Sequence, residues 1–314
     1  MKLIVKKILT LIITLLCISF LSFAAFTLIP GDAALTKLGV DATEEQVEAM
    51  RKEMGLDRSL PERYFSWLGK ALQGDFGESL KNSGTSVREL LASRLPITLT
   101  LAALSLILIL ALSLPLALIC VRYEGSPADR LLTGLGVVTM AVPAFFLGIL
   151  VTFFFGLVLR WFRPGSEVDL IQNFWGSIYY LLYPAAAVAL PKVAMTVRFL
   201  KTSLLGEMEK DYVRTARAKG NGEDRVLYGH VLRNSLIPVV TFAALVAAEI
   251  LSGSIVAEQV FSLNGLGRLM ITSIGSRDYP VVQAIVLYIT TVVVSLNTLV
   301  DILYILIDPR TRVK

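Results

Sequence analysis

Of the 314 residues, 55% are hydrophobic and only 18% are charged, and the formal net charge is +5. Soluble domains carry about a quarter charged residues, so this balance excludes an ordinary soluble protein and points to a chain built largely inside a bilayer. A single His excludes an H-E-x-x-H metalloprotease, and the only two cysteines, Cys17 and Cys120, lie inside apolar runs, which speaks against a disulfide framework or a Cys/His metal centre.

In chain order, Lys2, Lys6 and Lys7 precede an uncharged run over 8–29. A membrane span needs about 20 apolar residues and a signal-peptide core only about 7–15. The run is therefore read as a retained first span, although Ser22-Phe23-Ala24 is a tolerable cleavage pattern. Pro30-Gly31-Asp32 breaks the helix. Residues 30–94 then mix eleven acids with nine bases, with amphipathic stretches around Glu44–Met54 and Pro61–Leu72, broken up by Gly74, Gly77 and Gly84. The aromatics of this insert, Tyr64, Phe65, Trp67 and Phe76, suit either a small self-packed lid or docking on the membrane core or a partner.

The second span is Leu95–Val121, with Pro96 at its entry and Pro115 near its exit; neighbouring helices can satisfy the carbonyls such prolines free. A polar turn over 122–130 leads to the third span, Leu131–Leu159. It is broken by Gly134, Gly136, Pro143 and Gly148, and its small residues allow close helix approach and suggest a central position. The loop over 160–177 has Trp161 and Trp175 at its ends as interface anchors. The fourth span, Ile178–Val197, contains Pro184, Pro191 and Lys192. The fifth, Leu236–Ala257, contains Glu249. A loop over 258–284, read as outer and partly re-entrant, precedes the sixth span, Val281–Ile307, with Asp301. The expected organisation is a first span plus insert over 1–94 and a five-span core over 95–314, with a polar loop at about 201–235.

That loop is the most polar part of the chain. Between Arg198 and Arg233 lie eight Lys/Arg and five Asp/Glu. Leu205, Met208, Tyr212 and Ala216 are spaced three to four apart and predict one helix with an apolar stripe. Gly220 suits the left-handed residue that ends it. Asn221 suits the N-cap of a second helix, with Glu223 and Asp224 in the first turn, where the helix dipole favours acids. That helix presents Leu227, Val231 and Leu232 on one side, and Pro238 marks the turn into the fifth span.

The wording DYVRTARAKG followed by HVLRNSLIPVV resembles the cytoplasmic coupling loop of ABC-importer permeases, in particular the B-type subunit of the dipeptide/oligopeptide/nickel branch. The general loop reads E-A-A-x-x-x-G, nine residues, then I-x-L-P. Arg214, Thr215 and Ala216 fall on E-A-A, Gly220 on the glycine, His230 on the isoleucine and Leu232 on the leucine, while Arg233 replaces the proline. The general motif is thus kept only at Ala216, Gly220 and Leu232, whereas the branch's own wording is matched over about thirty residues. MGLDRSLPERYFSWLGKALQGDFGESL resembles the branch's extracytoplasmic insert. FSLNGLGR and RDYPV resemble its outer loop, with Asn264 in place of a proline, and DPRTR resembles its C-terminus.

The resemblance implies an all-α permease with six transmembrane helices and the type I importer fold. It implies a second, homologous permease subunit, two cytoplasmic ATPase subunits carrying ATP and Mg, and an extracytoplasmic solute-binding protein. The chain itself would bind no cofactor or metal and catalyse nothing. Nucleic acid is not among the expected partners. Coupling to the ATPase would fall to Tyr212, Arg214, Thr215, Ala216, Arg217, Lys219, Gly220, Arg225 and Leu232, the apolar stripe filling a cleft in the ATPase and the basic residues facing its rim. Di- or oligopeptides are the expected cargo, with nickel or a metal chelate as the alternative. A membrane-embedded enzyme or assembly factor is the alternative from another class, and a channel is disfavoured by the long polar hairpin.

Charge gives orientation independently. Lys and Arg concentrate at the N-terminus, in the 201–235 loop and in the tail, at Arg310, Arg312 and Lys314, while the other short loops are nearly neutral. The positive-inside rule then places both termini and the loop in the cytoplasm and the insert outside, and the resemblance implies a bacterial or archaeal cytoplasmic membrane. No P-loop and no G-x-S-x-G occurs in the sequence. Ionisable residues at membrane depth face water or protein. Lys192 is expected to snorkel, Asp301 to meet a structural partner, and Glu249, with Ser252 and Ser254, to be a candidate for the pore wall.

Overall fold

The computed structural model describes residues 2–28, 33–38, 42–53, 55–82 and 84–307; Pro30-Gly31-Asp32 and the basic tail lie outside them. Among these residues regular structure is helical, apart from an isolated bridge between Glu78 and Ser86. The helices are α1 (Lys2–Leu28), α2 (Ala33–Leu38), α3 (Glu44–Glu53), α4 (Leu60–Ala71), α5 (Val87–Arg122), α6 (Pro127–Ala141), α7 (Ala144–Val151), α8 (Phe174–Met208), α9 (Asp211–Ala218), α10 (Glu223–Val226), α11 (Leu232–Val260), α12 (Leu266–Gly275) and α13 (Tyr279–Ile307). Wider π-helical turns, Thr152–Val158 and Leu227–Val231, continue α7 and join α10 to α11.

Four helices, α1, α5, α8 and α13, are each long and apolar enough to cross a membrane, and two bent pairs bring the number to six if each pair is one span. The expected third span is one of these pairs: α6 and the run Ala144–Val158 meet at 102°. Proline fixes its own φ and drives the preceding residue to extended backbone. Val142 accordingly sits at φ −86° and ψ 125°, and Pro143 caps α7. In the other pair, Glu223–Leu236 and Pro238–Ile250 meet at 54°, across Pro238.

By contact the chain divides into two compact units, residues 1–98 with 264–295, and residues 99–263 with 296–314. In the first, α4 starts at a capping box, in which Glu62 reaches back to the Ser59 N–H, with a proline in its first turn. Tyr64 of α4 is buried against α1, its hydroxyl 2.8 Å from that of Ser19 and its ring 5.2 Å from Phe20. Trp67 packs on Phe23 at 5.4 Å. The insert's aromatics therefore settle partly on the first span: Phe65 stays 68% exposed, and Phe76 joins a separate cluster around Val87, Leu266, Val281 and Ile285. The 258–284 loop contains a helix, α12, whose first N–H, that of Leu266, donates to Thr98 Oγ1 at 2.9 Å. Buried Asp278 accepts from Ser79 Oγ at 2.5 Å and from the Leu80 N–H at 3.0 Å, tying the 79–82 turn to the start of α13.

In the second unit α8 is the common partner of α6, α7 and α11. One apolar cluster joins Ile109, Val188, Ala189, Val193, Val246 and Ile250. Gly148 of α7 lets α11 approach, since a Cβ there would meet Val260 and Phe261 at 3.3 Å. The Tyr180 hydroxyl donates to the Phe261 carbonyl at 2.8 Å and accepts from the Gly165 N–H at 3.1 Å, anchoring the 160–177 loop.

Candidate functional site

The polar loop folds as a hairpin with an apolar inside and a charged outside. The expected first helix is two: α8 runs on to Met208, Lys210 takes extended backbone, and α9 begins at Asp211. The stripe is thus split, Leu205 and Met208 on α8 and Tyr212 and Ala216 on α9, yet all four pack on the same cluster. Val121 of α5, Leu200 and Leu204 of α8, Val213, Val226, Leu227 and Val231 form its centre. The stripe therefore packs in large part on the chain's own helices, with Leu205, Met208 and Tyr212 half-buried. Val213 is fully buried and Ala216 is 8% exposed, so the apolar face is spent on holding the hairpin to its own helices.

The turn between the two arms needs Gly220, whose φ is +83°, in the left-handed region that favours glycine. Asn221 is not the cap of the second arm; extended Gly222 precedes α10, and the Asn221 side chain donates to the Ala216 carbonyl at 3.0 Å, closing the end of α9. Glu223 and Asp224 occupy the first turn of α10 as expected, and both are paired. Arg217 grips Glu223 through Nε at 2.8 Å and Nη2 at 3.0 Å, a two-pronged contact across the turn. The Arg217 guanidinium holds the Glu223 carboxyl below the usual carboxylate range. Arg122, at the end of α5, reaches Asp224 at 2.8 Å. Glu207 accepts from the Tyr212 hydroxyl at 2.8 Å and pairs with Lys210 at 2.5 Å, and burial pushes the Tyr212 phenol up.

Arg214, Thr215, Arg217, Lys219, Gly220 and Arg225 are exposed, whereas Tyr212 and Leu232 are half-buried and Ala216 is buried. Tyr228, His230 and Arg233, outside the expected coupling set, also face outward. A charged, exposed rim, with more basic than acidic residues, therefore stands on an apolar base.

At membrane depth, Lys192 on α8 does not snorkel. Its Nζ pairs with Glu249 Oε2 on α11. The pair lies on an open face, with the Glu249 side chain 51% exposed. Leu245 and Val256, one turn before and two turns after Glu249, share that exposure. Ser254 does not: it is fully buried, because five residues turn a helix about 140° past Glu249. The side chain of Ser252 lies outside the described residues, and Asp301 is exposed. Sequence reasoning missed the pair between Lys201 on α8 and Asp129 on α6, at 2.5 Å. Ser126-Pro127-x-Asp129 was a readable helix start; the Ser126 hydroxyl accepts from the Asp129 N–H at 3.3 Å.

Residues 113–313 match the family model described as "Binding-protein-dependent transport system inner membrane component", and residues 1–102 match that system's membrane component N-terminal model. The chain is similar to "Oligopeptide transport system permease protein AppB" of Bacillus subtilis (strain 168), 36% identical over 309 residues, 98% of each chain. It is also similar to "Probable peptide ABC transporter permease protein y4tP" of Sinorhizobium fredii (strain NBRC 101917 / NGR234), 32% identical over 309 residues, again 98% of each. With its apolar helices and polar hairpin, the chain belongs to the binding-protein-dependent transport system inner membrane component family, the multi-pass permeases of ABC importers.

Proposed function

We propose that this chain forms half of the translocation pore of an importer for di- or oligopeptides and that its 201–235 hairpin receives the stroke of a cytoplasmic ATPase. The observation that carries the coupling role is the division of the hairpin into an inward apolar face and an exposed rim of Arg214, Arg217, Lys219 and Arg225. A surface seated so firmly on α5 and α8 moves with them. In this reading Tyr212, Ala216 and Leu232 act as the seat of the hairpin, and Arg214, Thr215, Arg217, Lys219, Gly220 and Arg225 as the docking face. The complete machine has a second, homologous permease, two ATPase subunits that bind ATP and Mg, and an extracytoplasmic binding protein. Both termini and the hairpin lie in the cytoplasm, and the 30–94 insert lies outside the cytoplasmic membrane.

The peptide cargo is supported by the names of the relatives, which cover nearly the whole chain. The Lys192–Glu249 pair supplies opposite charges on one open face, a polar patch suited to a zwitterionic solute. The test is uptake of a labelled dipeptide or oligopeptide, beside nickel, in membranes holding the whole complex. Peptide uptake that needs ATP and the binding protein is expected. Nickel uptake without peptide uptake, abolished by Glu249→Gln in an assembled complex, would reverse the choice of cargo.

A further inference from the structure

A groove of about 430 Å3 runs between α5, α6 and α8. Its apolar wall includes Leu132 and Gly136 from α6 and Leu190 and Val197 from α8, and Arg198 and Lys201 stand at one end. Three features identify what fits it. The first is length. From Leu190 to Lys201, α8 rises about 17 Å at 1.5 Å per residue, close to one leaflet of a hydrocarbon core about 30 Å thick. The second is charge. Lys201 is matched by Asp129, but Arg198 has no acidic partner among the described residues, so the end carries a spare positive charge. The third is direction. Lys192 lies two residues from Leu190 and from Ala194, and nine from Lys201. At about 100° per residue that places it on the far side of α8. The groove therefore faces away from the open face that carries the Lys192–Glu249 pair.

We propose that this groove holds one anionic phospholipid, its phosphate between Arg198 and Lys201 and an acyl chain along α8. Basic pockets between membrane helices recognise anionic head groups in this way. A guanidinium at the edge of a bilayer gains a charge-assisted bond to phosphate that a zwitterionic lipid, with its own ammonium beside the phosphate, supplies less well. The site rests on the chain's place in a membrane and is independent of its cargo.

The test counts lipids retained by the chain, purified from its own membranes with the subunits that accompany it, using native mass spectrometry. Phosphatidylglycerol and phosphatidylcholine are the probes. Arg198→Gln removes the spare charge, and Gly136→Leu fills the groove; a Cβ at Gly136 meets only Ala194, at 3.7 Å. We expect Arg198→Gln to weaken phosphatidylglycerol about tenfold, the loss of one charge-assisted bond, and to leave phosphatidylcholine unchanged. Gly136→Leu should remove one phosphatidylglycerol per chain, with assembly checked by gel filtration; if that variant does not assemble, Arg198→Gln alone decides. Unchanged retention in Arg198→Gln overturns the proposal. So does displacement of the lipid by millimolar inorganic phosphate, which would mark a free-anion site. So does quantitative cross-linking of Leu132→Cys to another permease chain in membranes, which would mark a protein interface.

Discussion

Gly220→Val tests whether the hairpin transmits force. Nothing lies within 4 Å of a Cβ built at Gly220, so the substitution meets no clash and its cost is conformational alone. At φ +83° an L-residue costs about 1–2 kcal/mol, and a β-branched one up to about 3. The contacts that hold the turn are of the same size. The exposed Arg217–Glu223 pair contributes up to about 1 kcal/mol and the Asn221–Ala216 bond about 1. A shift of about 2 kcal/mol changes the population of the native turn roughly 30-fold. Asparagine tolerates the left-handed region better than alanine, and alanine better than valine. The expected order of ATPase subunit co-purifying with the chain, and of uptake, is therefore Gly, Asn, Ala, Val. Tryptic cleavage after exposed Lys219 should rise in the same order, and the helices on either side should stay inserted. Wild-type association and uptake in Gly220→Val would refute the reasoning, because the turn would then be dispensable.

Glu249→Gln leaves Lys192 without its carboxylate in a span; we expect a loss of about 1–2 kcal/mol, discounted for the open face, as a lower melting temperature in detergent. The double variant with Lys192→Met should recover most of it, and additive losses would mean that the pair does not interact. Asp278→Asn keeps the shape but weakens two buried acceptor contacts, to Ser79 and Leu80; a cost of about 1–3 kcal/mol should appear as faster proteolysis within residues 74–86. In cells without an outer-membrane barrier, an impermeant thiol reagent should modify Glu45→Cys and spare Gly222→Cys; labelling at 222 but not at 45 would invert the orientation and remove the basis for ATPase contact.

What the sequence reveals here is periodic or local, and what it hides is long-range. Apolar length located the spans, and Gly220 announced its own conformation. Pro143 was visible as a break, but the 102° between its two sides depends on what each side packs against. The stripe from Leu205 to Ala216 kept its spacing across the break at Lys210, because both pieces face one cluster, so periodicity read two helices as one. It marked the buried side correctly and could not tell a partner's cleft from the chain's own helices. Lys192 and Glu249 are separated by 57 residues, and Ser79 and Asp278 by 199; no spacing rule links such pairs. Asn221 went to the end of α9 rather than the start of α10, since its amide serves either terminus and Gly222 could take the extended position without it.

The wide turn at Leu227–Val231 carries helical backbone from α10 into α11 without a gap. The second arm of the hairpin is thus the near end of one helical run that reaches Val260, bent at Pro238. Pro238 has no N–H to brace the preceding turn, and the 54° bend lies there. The cluster around Leu200 and Val213 packs on the run on both sides of that bend, reaching Val239, and Arg122 pairs with Asp224 at its near end; farther along lie Glu249 and the open face. On the proposed coupling role, the hairpin is a handle and Pro238 a joint, and a short stroke on the handle is expected to emerge as a swing of the far end.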